Sequence, residues 1–159
     1  LEMHTAHIYY DDDNKPHMIL LGGRSKDELS NGIYKLDLEE LQWSRIGDMP
    51  SIICSHASVL VQNRYIVVYG GFNGTAIFDS IRRYDIKENK WLTYTNPTIS
   101  NECAFFSDGR IATAMENAND EIVLLFGGSS ALKDHNDTFC IKVEDLVNDD
   151  YFSEITLVL

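Results

Sequence analysis

The chain has 159 residues, of which 44% are hydrophobic and 11% aromatic, so it is long and apolar enough to fold around a core as one domain. Its 25 acidic residues outnumber the 13 basic ones, which gives a formal net charge of −12 at pH 7. Such a chain repels phosphate backbones and anionic lipids, which argues against nucleic acids and membrane surfaces as partners.

The cysteines and the start of the chain bear on its origin. Cys54, Cys103 and Cys140 are an odd number without a C-x-x-C spacing, which predicts free thiols in a reducing, cytoplasmic compartment. The sequence opens with Leu1-Glu2 and shows no signal-peptide pattern. We therefore expect an excised or processed piece of a cytoplasmic protein.

An apolar run that ends in a pair of glycines occurs three times. The first glycines of the pairs, Gly22, Gly70 and Gly127, lie 48 and 57 residues apart, which indicates a repeat architecture. Each run is unbroken rather than alternating, which predicts a strand that is buried on both faces. The alternative is a phosphate-binding α/β fold, but the glycines do not form G-x-G-x-x-G and no amphipathic helix follows them.

Three further strands are predicted in each repeat. A strand of small residues comes before the apolar run, at Thr5-Ala6, Ala57-Ser58 and Ala112 to Ala114. A third strand follows each glycine pair, at Ile33 to Leu38, Ile81 to Ile86 and Thr138 to Val143. In the first two repeats Asp37-Leu38 and Asp85-Ile86 are followed by four residues and then Trp43 and Trp91, a spacing that predicts a turn and a fourth strand.

With this arrangement the sequence resembles the Kelch repeat family over nearly its whole length. The resemblance rests on these residues of the three repeats: Gly22-Gly23, Tyr34 and Trp43; Gly70-Gly71, Tyr84 and Trp91; Gly127-Gly128 and Phe139, with Tyr151 or Phe152 in place of a third Trp. The family implies an all-β fold, a β-propeller in which each repeat forms one four-stranded antiparallel blade.

The resemblance divides the chain into three blades. We expect blade one over residues 3–49, blade two over 54–96, a loop over 97–104 and blade three over 105–159, with Ile155 to Leu159 as an outer strand. A propeller closes with about four to eight blades. The outward faces of blades one and three would be apolar and bare, so we predict half of a six-bladed ring. A second copy of the chain, or further repeats of a longer chain, would supply the other half.

The sequence contains few signs of catalytic or metal chemistry. No G-x-S-x-G, H-E-x-x-H or P-loop motif is present. His4 and His7 are three residues apart on a predicted strand, which puts them on opposite faces and argues against a shared metal ion. We therefore expect no cofactor and no metal. Some Kelch-like propellers are oxidases or sugar epimerases, and a fragment of such an enzyme stays as the alternative.

The resemblance also implies where a ligand binds. The expected face is built by the loops that follow the glycine pairs and by the segments that precede the small-residue strands. The partner-binding residues expected there are Arg24, Ser25, Ser55, His56, Phe72, Asn73, Arg110, Ser129 and Ser130. Arg24 and Arg110 match positions at which ligase-adaptor Kelch domains place arginines for acidic peptides, and a guanidinium can bind a carboxylate with two parallel hydrogen bonds. The other interpretation is that both are ordinary exposed loop arginines.

The function that we expect is a non-enzymatic protein-interaction module that presents its loops to a protein or peptide partner.

Overall fold

The computed structural model describes residues 1–95 and 108–155. Their strands form three larger antiparallel sheets and one short hairpin. The first sheet has the order β1-β2-β5-β6 and consists of β1 (Thr5–Tyr10), β2 (Pro16–Leu21), β5 (Gly32–Asp37) and β6 (Gln42–Asp48). The hairpin pairs β3 (Arg24–Ser25) with β4 (Glu28–Leu29), within the loop after the first glycine pair. No helix among the described residues is long and apolar enough to cross a membrane.

The second sheet contains one strand more than the first. It has the order β7-β8-β9-β10-β14 and consists of β7 (Ala57–Val61), β8 (Tyr65–Tyr69), β9 (Ile81–Asp85), β10 (Lys90–Tyr94) and β14 (Phe152–Glu154). The third sheet has three strands, β11 (Ala114–Ala118), β12 (Ile122–Phe126) and β13 (Thr138–Lys142). A helical turn, α1 (Val143–Leu146), and a 3-10 turn (Asp149–Tyr151) connect β13 to β14. The prediction of an all-β, antiparallel fold is therefore confirmed.

Residues 152–154, which the sequence places in the third blade, pair with the second sheet instead. Phe152 begins β14, which pairs with β10 of the second sheet instead of with β13. The Phe152 side chain is buried, lies edge-on to Tyr94 with ring centroids 5.2 Å apart, and contacts the Arg83 guanidinium at 4.3 Å. These contacts bury the aromatic ring against the second sheet. The predicted loop over 97–104 and residues 156–159 of the predicted outer strand lie outside the described residues.

The second sheet is buried on both faces, as its unbroken apolar run predicts. Ile66 and Val68 of β8 lie in the core shared with the first sheet. The alternating residues Val67 and Tyr69 lie in the core shared with the third sheet. Since successive side chains of a strand point to opposite faces, one run of apolar residues joins three layers.

The strand register corrects one detail of the repeat alignment. Tyr84 faces Ile66 across the second sheet and stacks on Trp91 with ring centroids 5.0 Å apart. The residue of the first sheet at the position of Tyr84 is Leu36, because Asp37 and Asp85 occupy the same place before their turns. Tyr34, two residues earlier, therefore corresponds to Arg82, so the two tyrosines are not equivalent as the sequence comparison assumed.

The inner strands β1, β7 and β11 lie next to one another. His7 Nε2 and the Ser58 hydroxyl, which belong to β1 and β7, are 2.6 Å apart. The Asn117 side-chain amide on β11 donates to the Leu60 carbonyl on β7 at 3.0 Å. Small residues on these strands, such as Ala57, fit the crowding where the sheets meet, as the sequence predicts.

Candidate functional site

The two predicted loop sets lie together at one end of the sheets, a surface that we call the loop face. Within each repeat, a backbone bridge joins the segment before the inner strand to the loop after the glycine pair, and the bridges are Glu2 with Arg24, Cys54 with Phe72, and Ile111 with Ser129. Between repeats, the Gly23 N–H donates to the Ile53 carbonyl at 2.7 Å. The loop face is therefore a continuous surface, and the structure brings most of the predicted residues onto it.

Arg24 and Ser25 lie in β3, at the exposed margin of the loop face. Arg24 Nε donates to Glu2 Oε1 at 2.7 Å, and both side chains are largely exposed. An ion pair in such a position contributes little to stability because water competes for both groups. Arg24 is thus accessible to a partner, but only one that displaces or tolerates Glu2.

Arg110 lies inside the structure, which corrects its prediction as an arginine offered to an acidic peptide. Its side chain is only 4% exposed. The guanidinium donates to Asp137 Oδ2 at 2.8 Å and to the Gly127 carbonyl at 2.9 Å, and it lies 5.3 Å from the centre of the Phe139 ring. The same contact holds the pKa of the Asp137 carboxyl below its usual value. Because Asp137 already occupies the guanidinium, Arg110 joins elements of the fold instead of binding a partner.

Ser55 and His56 also join the repeats rather than face solvent. The Ser55 N–H donates to the Met3 carbonyl at 3.0 Å, and the Ser55 carbonyl accepts from the Ala112 N–H at 2.9 Å. His56 is buried, and its Nε2 lies 2.9 Å from the Thr5 hydroxyl. Burial, with a smaller contribution from the positive charge of Arg82, lowers the pKa of His56 to about 3. His56 is therefore neutral at physiological pH.

Arg82 is a buried residue near the loop face that the sequence analysis did not single out. It is 5% exposed, donates to the Ser51 hydroxyl at 2.9 Å, and lies 4.6 Å above the Phe78 ring. Its Nε and Nη2 atoms are buried without a hydrogen-bond partner, and no carboxylate pairs with it within the described parts of the chain. Burial lowers its pKa to about 10. The sequence signal was the pair of consecutive arginines, Arg82 and Arg83, within a predicted strand.

A groove on the loop face brings two of the predicted residues, Phe72 and Ser130, to the same place. The groove, which we call the loop groove, has a volume of about 500 Å³. Its lining residues come from the loops of the second and third repeats and are Phe72, Thr75, Ala76, Ile77, Asp108, Gly109, Ser130, Ala131 and Leu132. Leu132 is 95% exposed.

The remaining predicted residues shape the loops on either side of the loop groove. Asn73 Oδ1 accepts from the Thr75 and Ala76 N–H groups at 2.9 and 2.7 Å. Ser129 pairs its hydroxyl with Asp134 across the third loop. These local bonds replace backbone pairing in a turn, so both loops present fixed surfaces.

The lining of the loop groove combines apolar and polar groups. Among its described lining residues, Asp108 is the ionisable one. Across residues 1–95 and 108–155, no three His, Cys, Asp or Glu side chains lie close enough to hold a metal ion. The sequence analysis missed Ile77, Asp108 and Leu132, because the lining of a groove between repeats depends on how adjacent sheets pack. An isolated Leu in the polar loop after Gly128 was the available signal.

Comparison with known proteins identifies the repeat family. The antiparallel sheets and the bridged loops described above define an all-β repeat protein whose loops meet at one end. Residues 2–107 match the family described as the KLHDC2/KLHL20/DRC7 Kelch-repeats domain, and this match covers more than half of the sequence. The chain therefore belongs to this Kelch-repeat family, as predicted.

Two curated proteins are similar to parts of the chain. Over 82 residues, which are 49% of the chain, it is 28% identical to the acyl-CoA-binding domain-containing protein 5 of Arabidopsis thaliana and covers 13% of that protein. Over 112 residues, 63% of the chain, it is 30% identical to the N-acetylneuraminate epimerase of Vibrio cholerae and covers 26% of that protein. The chain thus spans about a quarter or less of these relatives.

Proposed function

We propose that this chain is a protein-interaction module that binds a protein or peptide segment in the loop groove. The observation that carries the proposal is the groove at the seam of the second and third repeats, which Phe72 and Ile77 line and at whose edge Leu132 is exposed. Kelch-repeat domains generally mediate protein interactions, which supports the same assignment. Phe72 and Ile77 would receive an apolar side chain of the partner, and backbone groups of the loops would fix its main chain.

The charges around the loop groove favour a neutral or basic partner over an acidic one. Asp108 lines the groove, the opposite charges of Lys133 and Asp134 offset each other in the adjoining loop, and the guanidinium of Arg110 is occupied by Asp137. The whole chain carries a net charge of −12, which speeds encounter with basic segments and disfavours nucleic acids and anionic membranes. The free thiols of Cys54 and Cys140 support the proposal of a reducing, cytoplasmic location.

Selection of binding peptides from a random displayed library tests this function. We expect enriched peptides to share one apolar anchor with neutral or basic neighbours. Leu132→Asp should weaken their binding at least about tenfold, since it places a charge at the edge of an apolar contact. Leu41→Asp is the matched control, because Leu41 is also an exposed leucine, 72% accessible, but lies in the turn between β5 and β6. Enriched peptides that bind the Leu132 variant as tightly as the unmodified chain would refute the assignment of the groove.

We also propose that the three sheets are three blades, half of a six-bladed propeller ring. The exposure of the outer apolar face of the third sheet supports this proposal. Leu124 and Phe126 are 40% and 52% exposed there. Val67 and Tyr69, at the same positions of the second sheet, are 0% and 1% exposed. Covering apolar surface contributes about 25 cal/mol per Å². The missing half is a second copy or further repeats of a longer chain.

Similarity to an epimerase favours a second candidate, that the chain is part of a propeller enzyme. The supporting observation is the 30% identity with the N-acetylneuraminate epimerase over 112 residues. Epimerisation of N-acetylneuraminate, followed by proton NMR, tests this candidate directly. A reaction that is faster with the chain present would favour the enzyme. An unchanged rate with a full ring assembled would exclude it.

A further inference from the structure

The loop after Gly70-Gly71 carries the dipeptide Asn73-Gly74 at its tip. The side chain of Asn73 turns back onto its own loop, where Oδ1 accepts the Thr75 N–H at 2.9 Å and the Ala76 N–H at 2.7 Å. The Asn73 N–H donates to the Ala76 carbonyl at 3.2 Å and closes the turn. The carboxamide is therefore held against the main chain that follows it.

An asparagine that precedes a glycine can lose its side-chain amide through attack by its own main chain. The main-chain nitrogen of the next residue bonds to the side-chain carbon Cγ, the bond between Cγ and Nδ2 breaks, and Nδ2 leaves as ammonia with the proton of the attacking amide. Water then opens the resulting cyclic imide at either carbonyl, which gives aspartate or isoaspartate. Neither step needs an oxidant, a reductant or an enzyme, and asparagine is counted among the thermolabile residues.

Gly74 is suited to be the attacking residue. It is exposed, and its N–H has no hydrogen-bond partner within the described parts of the chain. Its φ of 93° is a conformation that glycine adopts without a steric cost, and its missing side chain leaves the nitrogen uncovered. The nitrogen is therefore accessible to the Asn73 carboxamide and to the hydroxide that removes its proton.

The two hydrogen bonds to Asn73 Oδ1 favour the same reaction. Attack on Cγ turns this oxygen into an oxyanion in the tetrahedral intermediate. The Thr75 and Ala76 N–H groups already point at the oxygen, and prearranged donors of this kind stabilise a developing negative charge. The turn thus supplies both the nucleophile and the donors that the reaction needs.

The chain contains a second Asn-Gly pair, at residues 31 and 32, in which these conditions are absent. Gly32 is buried at the start of β5, and its N–H donates to the Ser30 hydroxyl at 3.0 Å. The Tyr34 ring lies against it, since a Cβ added to Gly32 would be 2.5 Å from this ring. The Asn31 carbonyl accepts the Met49 N–H at 2.7 Å. Attack by Gly32 would require β5 to open locally, so this pair is the internal reference for the same dipeptide.

We propose that Asn73 is a deamidation site whose own turn promotes the reaction, and that the product alters the loop groove. Aspartate adds a negative charge beside Thr75 and Ala76, which line the groove. Isoaspartate also inserts an extra carbon into the main chain ahead of these residues, so they cannot keep their positions. The effect on binding rests on the proposed function of the loop groove, whereas the reaction at Asn73 does not.

Peptide mapping of the chain after incubation in mildly alkaline buffer tests the reaction. Trypsin separates the two sites into residues 27–35 and 65–82, each with a single asparagine, and mass spectrometry measures the converted fraction of each. Asn73 should react at least about tenfold faster than Asn31, because local opening of β5 limits the reactive fraction of Asn31. The rate at Asn73 should rise with pH, since the Gly74 amide must lose its proton.

Two comparisons separate the roles of the glycine and of the turn. Gly74→Ala should slow the reaction at least about tenfold, because a Cβ covers the nitrogen and disfavours the positive φ. A synthetic peptide of residues 65–82 should react more slowly than the folded chain, because it lacks the fixed turn. Equal rates at Asn31 and Asn73 would overturn the assignment of the site. A synthetic peptide that reacts as fast as the folded chain would overturn the role of the turn.

Binding of the peptides selected on the loop groove tests the consequence. They should bind the isoaspartate form at least about tenfold more weakly, because part of the groove lining is displaced. Asn73→Asp measures the contribution of the charge alone. Unchanged binding after complete conversion would overturn the effect on the groove but not the reaction. Failure of Leu132→Asp to weaken binding would instead count against the groove itself.

Discussion

Two histidines at the seam between the first and second sheets should make the stability of this protein strongly dependent on pH. His7 Nε2 lies 2.6 Å from the Ser58 hydroxyl, and His56 is buried against Thr5. Burial lowers the pKa of His7 to about 4 and is the main cause that lowers the pKa of His56 to about 3. Both side chains therefore resist protonation while the chain is folded.

The sign and size of the effect follow from these pKa values. In the unfolded chain both histidines take up a proton near pH 6.5, whereas in the folded chain they stay neutral down to about pH 4. Between these values the unfolded state binds more protons, so the free energy of unfolding falls as the pH falls. Each pH unit is worth about 1.4 kcal/mol per histidine, so lowering the pH from 7.5 to 4.5 should remove about 2–3 kcal/mol for each. The sum is a large part of the 5–15 kcal/mol typical of a whole domain.

Urea unfolding at a series of pH values between 7.5 and 4.5 measures this dependence. The double variant His7→Gln, His56→Gln should be less stable at pH 7.5, because it loses two packed rings, but its free energy of unfolding should vary much less across the range. A steep fall that the double variant retains would refute the assignment to these histidines. So would an unmodified chain whose stability is flat between pH 6.5 and pH 4.5.

Two pairs of substitutions, one at arginines and one at glycines, have contrasting expected effects on the free energy of unfolding, measured by urea titration at pH 7.5. Among the described residues no carboxylate pairs with the buried charge of Arg82, so Arg82→Met should stabilise by about 1 kcal/mol or more. Arg83→Met should destabilise, because Arg83 pairs with Asp149 and donates to the Leu146 carbonyl. Gly70→Ala places a Cβ against the Arg110 carbonyl at a φ of 67° and should cost about 2 kcal/mol or more. Gly74→Ala, at a φ of 93°, places its Cβ at an ordinary contact distance of 3.4 Å from Leu29 and should cost only the backbone strain. Equal losses at the two glycines would contradict the close approach of the Arg110 segment.

Sequence reasoning predicted the parts of the fold that repeat. The unbroken apolar run at Ile66 to Tyr69 had to be buried on both faces, and the structure distributes it between two cores. The turn after Asp85 and the strand with Trp91 followed from a spacing shared by two repeats. Local pattern was sufficient here because each repeat meets the same neighbours.

The predictions that failed concern residues whose contacts with adjacent repeats differ from one repeat to the next. After Lys142 the chain has no Trp at the expected spacing, and the position of Phe152 depends on Tyr94 and Arg83 of another sheet. Likewise, nothing in the sequence joins Arg110 to Asp137, which lies 27 residues further along the chain. Both outcomes depend on packing between repeats, and no pattern within one repeat contains it.

The placement of the arginines decides what the loop face can recognise. Arg82, Arg83 and Arg110 are each at most 5% exposed, and they lie in the seams between sheets, where their stems pack and their charges meet aromatic rings. The buried guanidinium groups are therefore not available at the loop groove, whose lining includes the carboxylate of Asp108. A Kelch repeat with arginine at the position of Arg110 therefore need not bind acidic peptides. Arg110 is unavailable to a partner because Asp137 binds its guanidinium. The second repeat has Ser80, not a carboxylate, at the position of Asp137.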